Sequence, residues 1–407
     1  MPSPLLNTTS CQSLNEIIQK IPKDPFWLPL IEVLTYGSLL AIDPRGPLPT
    51  YLHQLFGPDP LDVPHFLSHT AFSPTLTGRH ATSLIVADIL SSTRRSRITA
   101  HPSRSKEEDE ISAAQLLLST SKPLYRGTGQ GVWNFISPRL DKLYAIPEFV
   151  TDLSNRQEVL EIGPASVNIM PCAAIADLHH DVGYGVATLV QGAKLWILYP
   201  PTPANLDALC LSYSQTSATH QAAIFANFRR LKNGIVFVQP QNTTLLVPPF
   251  CAHAVFTLQT SVLVGREVYS KRKFVQRLEN ERVQVAWTRA EQNTERRERD
   301  VREQMRHLKV VLKTEDMGER EKMLRAWDVV VQNGALESLA EGMKCKLEEW
   351  KKIWVTATRG WIECPVCKVK CEEGNDEKGQ RRVLRSKKME VGFGEHFGIV
   401  HWRNAKR

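Results

Sequence analysis

No run of about 18 apolar residues occurs along the chain, so no transmembrane helix is expected. The opening stretch MPSPLLNTTSCQSLNEIIQK has neither a basic start nor a long apolar segment, which argues against a secretory signal. Cysteine is scarce: eight in 407 residues are too few for a secreted disulfide scaffold. Three of the eight (Cys364, Cys367 and Cys371) fall together, a grouping that suits metal binding in a reducing compartment better than disulfide pairing. Internal repeats are also missing, and with them the case for a solenoid.

What remains is an ordinary globular composition, 42% hydrophobic and 23% charged, over a length that accommodates two or three domains. The net charge of +8 permits a nucleic-acid or chromatin partner without requiring one.

Residues 1–115 read as an N-terminal, mainly helical region rich in proline. Within it, 91–110 (SSTRRSRITAHPSRSKEEDE) switch from basic to acidic; a solvated loop is the default reading and a basic contact surface the alternative. From about residue 158 the pattern changes to short runs such as EVLEIGPASVNIM, GVATLVQGAKLWILYPP, TTLLVPP and HAVFTLQTSVLVGREVY. Their Val, Ile, Leu, Thr and aromatic content, broken by Pro, Gly and Asn, predicts a sandwich or barrel such as a jelly roll. Residues 273–357 are highly charged and helical in pattern. Leu336, Ala340, Met343, Leu347, Trp350 and Trp354 recur at spacings of four and three, one apolar helix face that packs on neighbouring helices; a coiled coil would need a longer repeat.

The run LHHDVGYG (178–185) crowds titratable side chains into an apolar setting. On a strand, residues two apart project from one face, so His179 and Asp181 aim an imidazole and a carboxylate at one point. VPPFCAHAVF places His253 at the start of a β-rich run, after a Pro-Pro turn. Two histidines and one carboxylate with open positions form the facial triad of non-haem Fe(II) oxygenases. In GAKLWILYPP, Lys194 shares a strand face with Trp196 and Leu198. A lysine aimed into a barrel needs an anion, and the distal carboxylate of a dicarboxylate such as 2-oxoglutarate answers that need.

At this point the sequence resembles the JmjC group of Fe(II)/2-oxoglutarate oxygenases. The matching pieces are His179-x-Asp181, Gly192-x-Lys194, Tyr199-Pro200-Pro201, Val247-Pro248-Pro249 and His253, in order; the resemblance covers roughly residues 120–272, within a β-barrel domain expected over 116–272. The resemblance implies a mixed α and β fold with a double-stranded β-helix (jelly roll, cupin-like) core. It also implies iron on His179, Asp181 and His253, with 2-oxoglutarate held by Lys194. Enzymes of this group hydroxylate a C–H bond while converting 2-oxoglutarate to succinate; on an N-methyl carbon the outcome is demethylation with release of formaldehyde. Two positions depart from the family. Ala176 stands three residues before the first metal histidine, where many members carry a Thr or Ser, and Gly185 stands where some carry an asparagine. Tyr184 is a candidate to supply a hydroxyl to the co-substrate instead. His180 is expected to face away from the metal, and Asp177 to sit in a turn.

The last segment, 358–407, contains Cys364-x-x-Cys367 and then His396 and His401. Two thiolates and two imidazoles complete a tetrahedral structural Zn(II) site of finger-like type, with Phe397 and Trp402 as a small core and Cys371 as an alternative ligand. Between them lies KGQRRVLRSKK (378–388), which has six basic residues and no acidic one. It is a solvated loop by default and a DNA, chromatin or nuclear-import contact by function.

The expectation is therefore an Fe(II)- and 2-oxoglutarate-dependent dioxygenase acting on a protein in the nucleus, or otherwise in the cytoplasm. Its reaction would be hydroxylation or histone lysine demethylation, with no membrane partner. The rival is a JmjC-fold chromatin or DNA-binding scaffold without catalysis, which Ala176 and Gly185 favour. Oxidation of an RNA base or a small molecule is a third reading.

Overall fold

The computed structural model describes residues 13–21, 23, 27–45, 49–67, 81, 83–85, 87–88, 99–101, 132–214, 227–290, 294–313, 316–332, 349–358, 361, 363–369 and 396–402. The chain divides into two compact units, Met1–Ser270 and Lys271–Arg407. The stretches 91–98 and 102–110, Cys371, the basic tract 378–388 and the helix positions Leu336, Ala340, Met343 and Leu347 lie outside the described residues.

The first unit is built on one eleven-stranded mixed sheet. Its strands are β1 (Leu39–Ala41), β2 (His65–Phe66), β3 (Thr99–His101), β4 (Val132–Ile136), β5 (Val159–Ile162), β6 (Ser166–Met170), β7 (Ile175–His179), β8 (Tyr184–Tyr199), β9 (Gly234–Pro240), β10 (Thr243–Val247) and β11 (Ala252–Ser270). The main path runs β1-β9-β8-β11-β6-β4-β3. In addition, β10 pairs with β2 and β8, while β5 and β7 pair with β11. All these pairings are antiparallel except β1 with β9. The region read as mainly helical thus also contributes β1, β2 and β3. These are two- and three-residue strands, too short to leave an alternating pattern in the sequence. Its helices are α1 (Leu14–Lys20), capped by the Ser13 hydroxyl, α2 (Leu28–Tyr36) and α3 (Thr50–Phe56). Helices α4 (Pro138–Asp141), α5 (Glu148–Asn155) and α6 (Pro203–Ser214) follow.

The long central strand β8 has two apolar sides. Tyr184, Val186 and Val190 join Val262, Val264, Val268 and Tyr144 in one buried cluster. Ala187, Trp196 and Leu198 join Ile235, Phe237, Val247 and Val255 in the other. Strict alternation would not put Ala187 and Trp196 on one side; an irregularity around residues 191–193 resets the pleat. Gly192 makes that reset possible. Its φ of +87° suits glycine, and a Cβ there would stand 2.5 Å from the Thr260 carbonyl oxygen on β11.

The second unit is helical: α7 (Phe274–Glu279), α8 (Glu281–Ala290), α9 (Thr294–Val311), α10 (Met317–Gln332), a helix over 349–357 and a π-helical turn at Phe397–His401. In α9 and just beyond it, Val301, Met305, Leu308 and Leu312 are buried at helical spacing, the stripe a charged helix needs in order to pack. α10 lies against α7 and against the Phe397–His401 turn. Its Trp327 is fully buried beside Trp350 and Trp354, with ring centroids 5.3 Å away in both cases. No helix of the described residues is long and apolar enough to cross a membrane.

Candidate metal centres

His179 ends β7 and His253 lies near the start of β11, and the two residues are paired across the sheet. Their ring centroids are 4.0 Å apart. Asp181 lies in the loop just beyond β7, not on the strand, so a turn rather than the pleat aims its carboxylate. The Phe250 N–H donates to the Asp181 carbonyl at 2.8 Å, tying that turn to the one that precedes His253. Asp181 Oδ2 is 3.7 Å from His253 Nε2, and one ligand atom from each of the three residues lies within 4.8 Å of the others.

Both imidazoles are held ready for coordination. His179 Nδ1 meets the Asp177 carbonyl at 2.5 Å, and His253 Nδ1 meets the Cys251 carbonyl at 2.9 Å. A carbonyl only accepts, so each Nδ1 carries the proton and each Nε2 keeps its lone pair. Burial pushes the His253 pKa down to about 4, so this ring is neutral at physiological pH. The His253 side chain is 3% exposed and that of Asp181 27%, so the centre opens on the carboxylate side. Trp196 packs 5.8 Å from the His253 ring. Its indole N–H donates to Gln239 Oε1 at 2.8 Å, and Gln239 in turn donates to the carbonyls of Ala187 and Thr243. This support for a ligand imidazole has no counterpart in the motif.

Lys194 is buried on β8, directly across from Thr257 on β11, while His253 pairs with Leu198. With Trp196 between them, Lys194, Trp196 and Leu198 share the face that carries His253. Lys194 Nζ donates to Asn168 Oδ1 at 3.3 Å and contacts Met170 Sδ at 2.7 Å. No carboxylate of the described residues pairs with it, and burial pushes its pKa down to about 7.

Tyr184 does not join this group. It lies on the other side of β8, buried in the opposite cluster with its ring 6.0 Å from Phe149, because strand neighbours alternate and Gly185 takes the metal side. A Cβ on Gly185 would stand 3.3 Å from Asp181 Oδ2, so a larger side chain there would press on the ligand. His180 turns away: its Nδ1 lies 2.8 Å from the Tyr213 hydroxyl, and its ring stacks on Phe250. Ala176 does face the site. A bulge in β7 sets Ala176 opposite Val255 and His179 opposite His253, so an odd separation still yields a shared side.

In the second unit, Cys364, Cys367, His396 and His401 bring one ligand atom each to within 4.8 Å of one another. Cys364 Sγ and Cys367 Sγ are 3.5 and 3.8 Å from His401 Nε2. The turn is closed by Lys368 N–H on the Cys364 carbonyl, with Lys368 at φ 58°, and the Cys367 N–H points at Cys364 Sγ. Phe397 stacks on Trp354 at 5.1 Å and Trp402 on Trp327 at 5.6 Å, so the expected small core forms and is larger than expected. Asp328 on α10 accepts from His401 Nδ1 at 2.7 Å, which leaves Nε2 facing the sulfurs. Burial works against the His401 imidazolium, but Asp328 and Cys364 outweigh it and hold the pKa up at about 9. A carboxylate behind a ligand histidine orients the ring and raises its basicity. Asp328→Ala should therefore weaken the affinity of this group for a metal ion by about 10- to 100-fold in a chelator competition; unchanged affinity would show the carboxylate to be idle.

Both groups have the chemistry of metal ligands: imidazole and carboxylate with an open side in the first, two thiols and two imidazoles in the second. The chain matches no known family model and no curated protein.

Proposed function

We propose that the protein is an Fe(II)- and 2-oxoglutarate-dependent oxygenase of JmjC type, its sheet a double-stranded β-helix, acting on a protein substrate in the nucleus. The observation that carries this reading is the convergence of His179, Asp181 and His253, both imidazoles turned by an Nδ1 contact to a backbone carbonyl, on the sheet face that also carries a buried Lys194 with which no carboxylate of the described residues pairs. When bound, iron with 2-oxoglutarate and dioxygen supplies oxidation of a C–H bond, with succinate and carbon dioxide as co-products. The chain itself holds the three ligands, excludes water with Trp196, Val247 and Val255, and offers the Lys194 ammonium to the distal carboxylate. The four-residue Cys/His group is a zinc site in this reading. Hydroxylation and histone lysine demethylation both remain within the chemistry. A scaffold without turnover is the second reading, because the site-facing Ala176 brings no hydroxyl.

Succinate formation by the purified full chain with Fe(II) and 2-oxoglutarate tests the assignment, and histone peptides run against tRNA test the substrate class. A protein that makes no succinate under any of these conditions belongs to the scaffold reading. Lys194→Ala should raise the 2-oxoglutarate requirement by roughly 10- to 100-fold, the loss of a charge-assisted hydrogen bond; an unaltered requirement would remove Lys194 from that role. The ligand-free protein carries a matching signature. With the folded Lys194 near pKa 7 and the unfolded one near about 10.4, the unfolded chain binds more protons between these values. Stability without ligand should therefore rise with pH across that window, and Lys194→Met should flatten the rise.

A further inference from the structure

The missing hydroxyl at Ala176 directs attention to what else surrounds Lys194. Ala176 packs against Met170 and Ala174, and Met170 Sδ touches the Lys194 ammonium. The Ala176 side chain therefore borders the place where a hydroxyl would meet an anion beside Lys194. Two hydroxyls reach the same place from β11. Thr257 is directly across from Lys194, and Ser261 is directly across from Met170. Cross-strand partners share a sheet face, so both point toward the Lys194 side. Both residues are fully buried, and among the described residues neither Thr257 Oγ1 nor Ser261 Oγ has a hydrogen-bond partner. Buried hydroxyls are ordinarily satisfied. Two such hydroxyls on the side of the sheet that carries a buried ammonium with no carboxylate partner among the described residues are donors left unanswered.

We infer that Thr257 and Ser261 stand in for the hydroxyl lost at Ala176, completing with Lys194 a cradle for the distal carboxylate of a 2-oxo dicarboxylate. This rests on the oxygenase reading and deepens it: the ligand is selected by its second carboxylate. The cradle would offer one cation and two hydroxyl donors to the two carboxylate oxygens, with Asn168 Oδ1 holding the ammonium in place. A monocarboxylic 2-oxo acid would leave all three donors unanswered.

Calorimetric titration of the full chain tests this without turnover, with Mn(II) in place of iron. The probes are 2-oxoglutarate and 2-oxopentanoate, which share the 2-oxo acid end and differ in the distal carboxylate. Thr257→Val should weaken 2-oxoglutarate binding by roughly tenfold or more, with Mn(II) and 2-oxopentanoate affinities unchanged. Thr257→Ser should restore the affinity, and Ser261→Ala should cause a loss of the same kind. Ligand-free Thr257→Val should unfold at or above the wild-type temperature, because its hydroxyl has no partner to lose. A large drop in that temperature, or wild-type 2-oxoglutarate affinity in Thr257→Val, overturns the cradle and leaves the oxygenase reading standing. Equal wild-type affinity for the two acids does the same. A wild-type protein that binds Mn(II) and neither acid overturns both.

Discussion

His179→Ala is expected to reduce succinate formation to background and to lower iron content while leaving the fold intact. Two features separate these effects. The imidazole is anchored locally, through Nδ1 on the carbonyl of Asp177 two residues away. Losing it removes about 1 kcal/mol of local support, a small part of the stability of a domain this size. The metal, by contrast, loses one of three ligands, and the remaining pair, Asp181 and His253, can no longer fix a facial geometry. The measurement is iron content and succinate yield alongside the thermal unfolding midpoint. Unchanged turnover would remove the triad assignment altogether. A collapse of the midpoint would instead make His179 a structural histidine, since its ring also packs on that of His253. Asp181→Ala makes a cleaner partner experiment, because that side chain is part-exposed and sits in a loop.

The sequence made part of this centre legible because strand periodicity carries side-chain direction. Lys194, Trp196 and Leu198 share a face as their spacing implies, and the β-rich runs after residue 158 are strands. Where the pleat is interrupted, the same rule misleads. Ala176 is an odd number of residues from His179, yet the bulge in β7 sets both toward the metal. Asp181 reaches the site from a turn. Tyr184 was a candidate for the co-substrate, though its own neighbour Gly185 occupies the metal side and the two must alternate. Gln239, Thr257 and Ser261 reach their places through pairing between strands far apart in the chain. Single-chain periodicity has no means of expressing such register. The same holds for Asp328, 73 residues from its histidine partner: it lies on a helix whose apolar stripe predicts packing but says nothing of what its polar neighbour touches.

With zinc on the Cys/His group, as proposed, its removal by chelation or by Cys364→Ser should loosen the aromatic core of the second unit. Twenty-eight residues separate Cys367 from His396, longer than in an ordinary finger. That length is a weak objection, since each doubling of a loop costs only about 0.6 kcal/mol in closure entropy. What the metal adds is much larger: structural zinc contributes on the order of 10 kcal/mol of folding free energy. The competing support is the stacking of Phe397 and Trp402 on Trp354 and Trp327, each such pair being worth about 0.5–1.5 kcal/mol beyond burial. These pairs alone fall short of the metal by several-fold. Without the metal, moreover, burial and the neighbouring Cys364 sulfur push the Cys367 thiol up to about 11, and His401 is held as a cation beside it. The metal-free cluster is then three buried polar groups, Cys364, His396 and His401, with the exposed Cys367 beside them, against an indole core. Near-ultraviolet circular dichroism should accordingly lose its tryptophan signal on chelation, with a new low-temperature unfolding transition that zinc restores in the wild type and not in Cys364→Ser. A signal indifferent to chelation would mean that the tryptophans hold this unit by themselves, and that the four ligands merely sit upon a core already made.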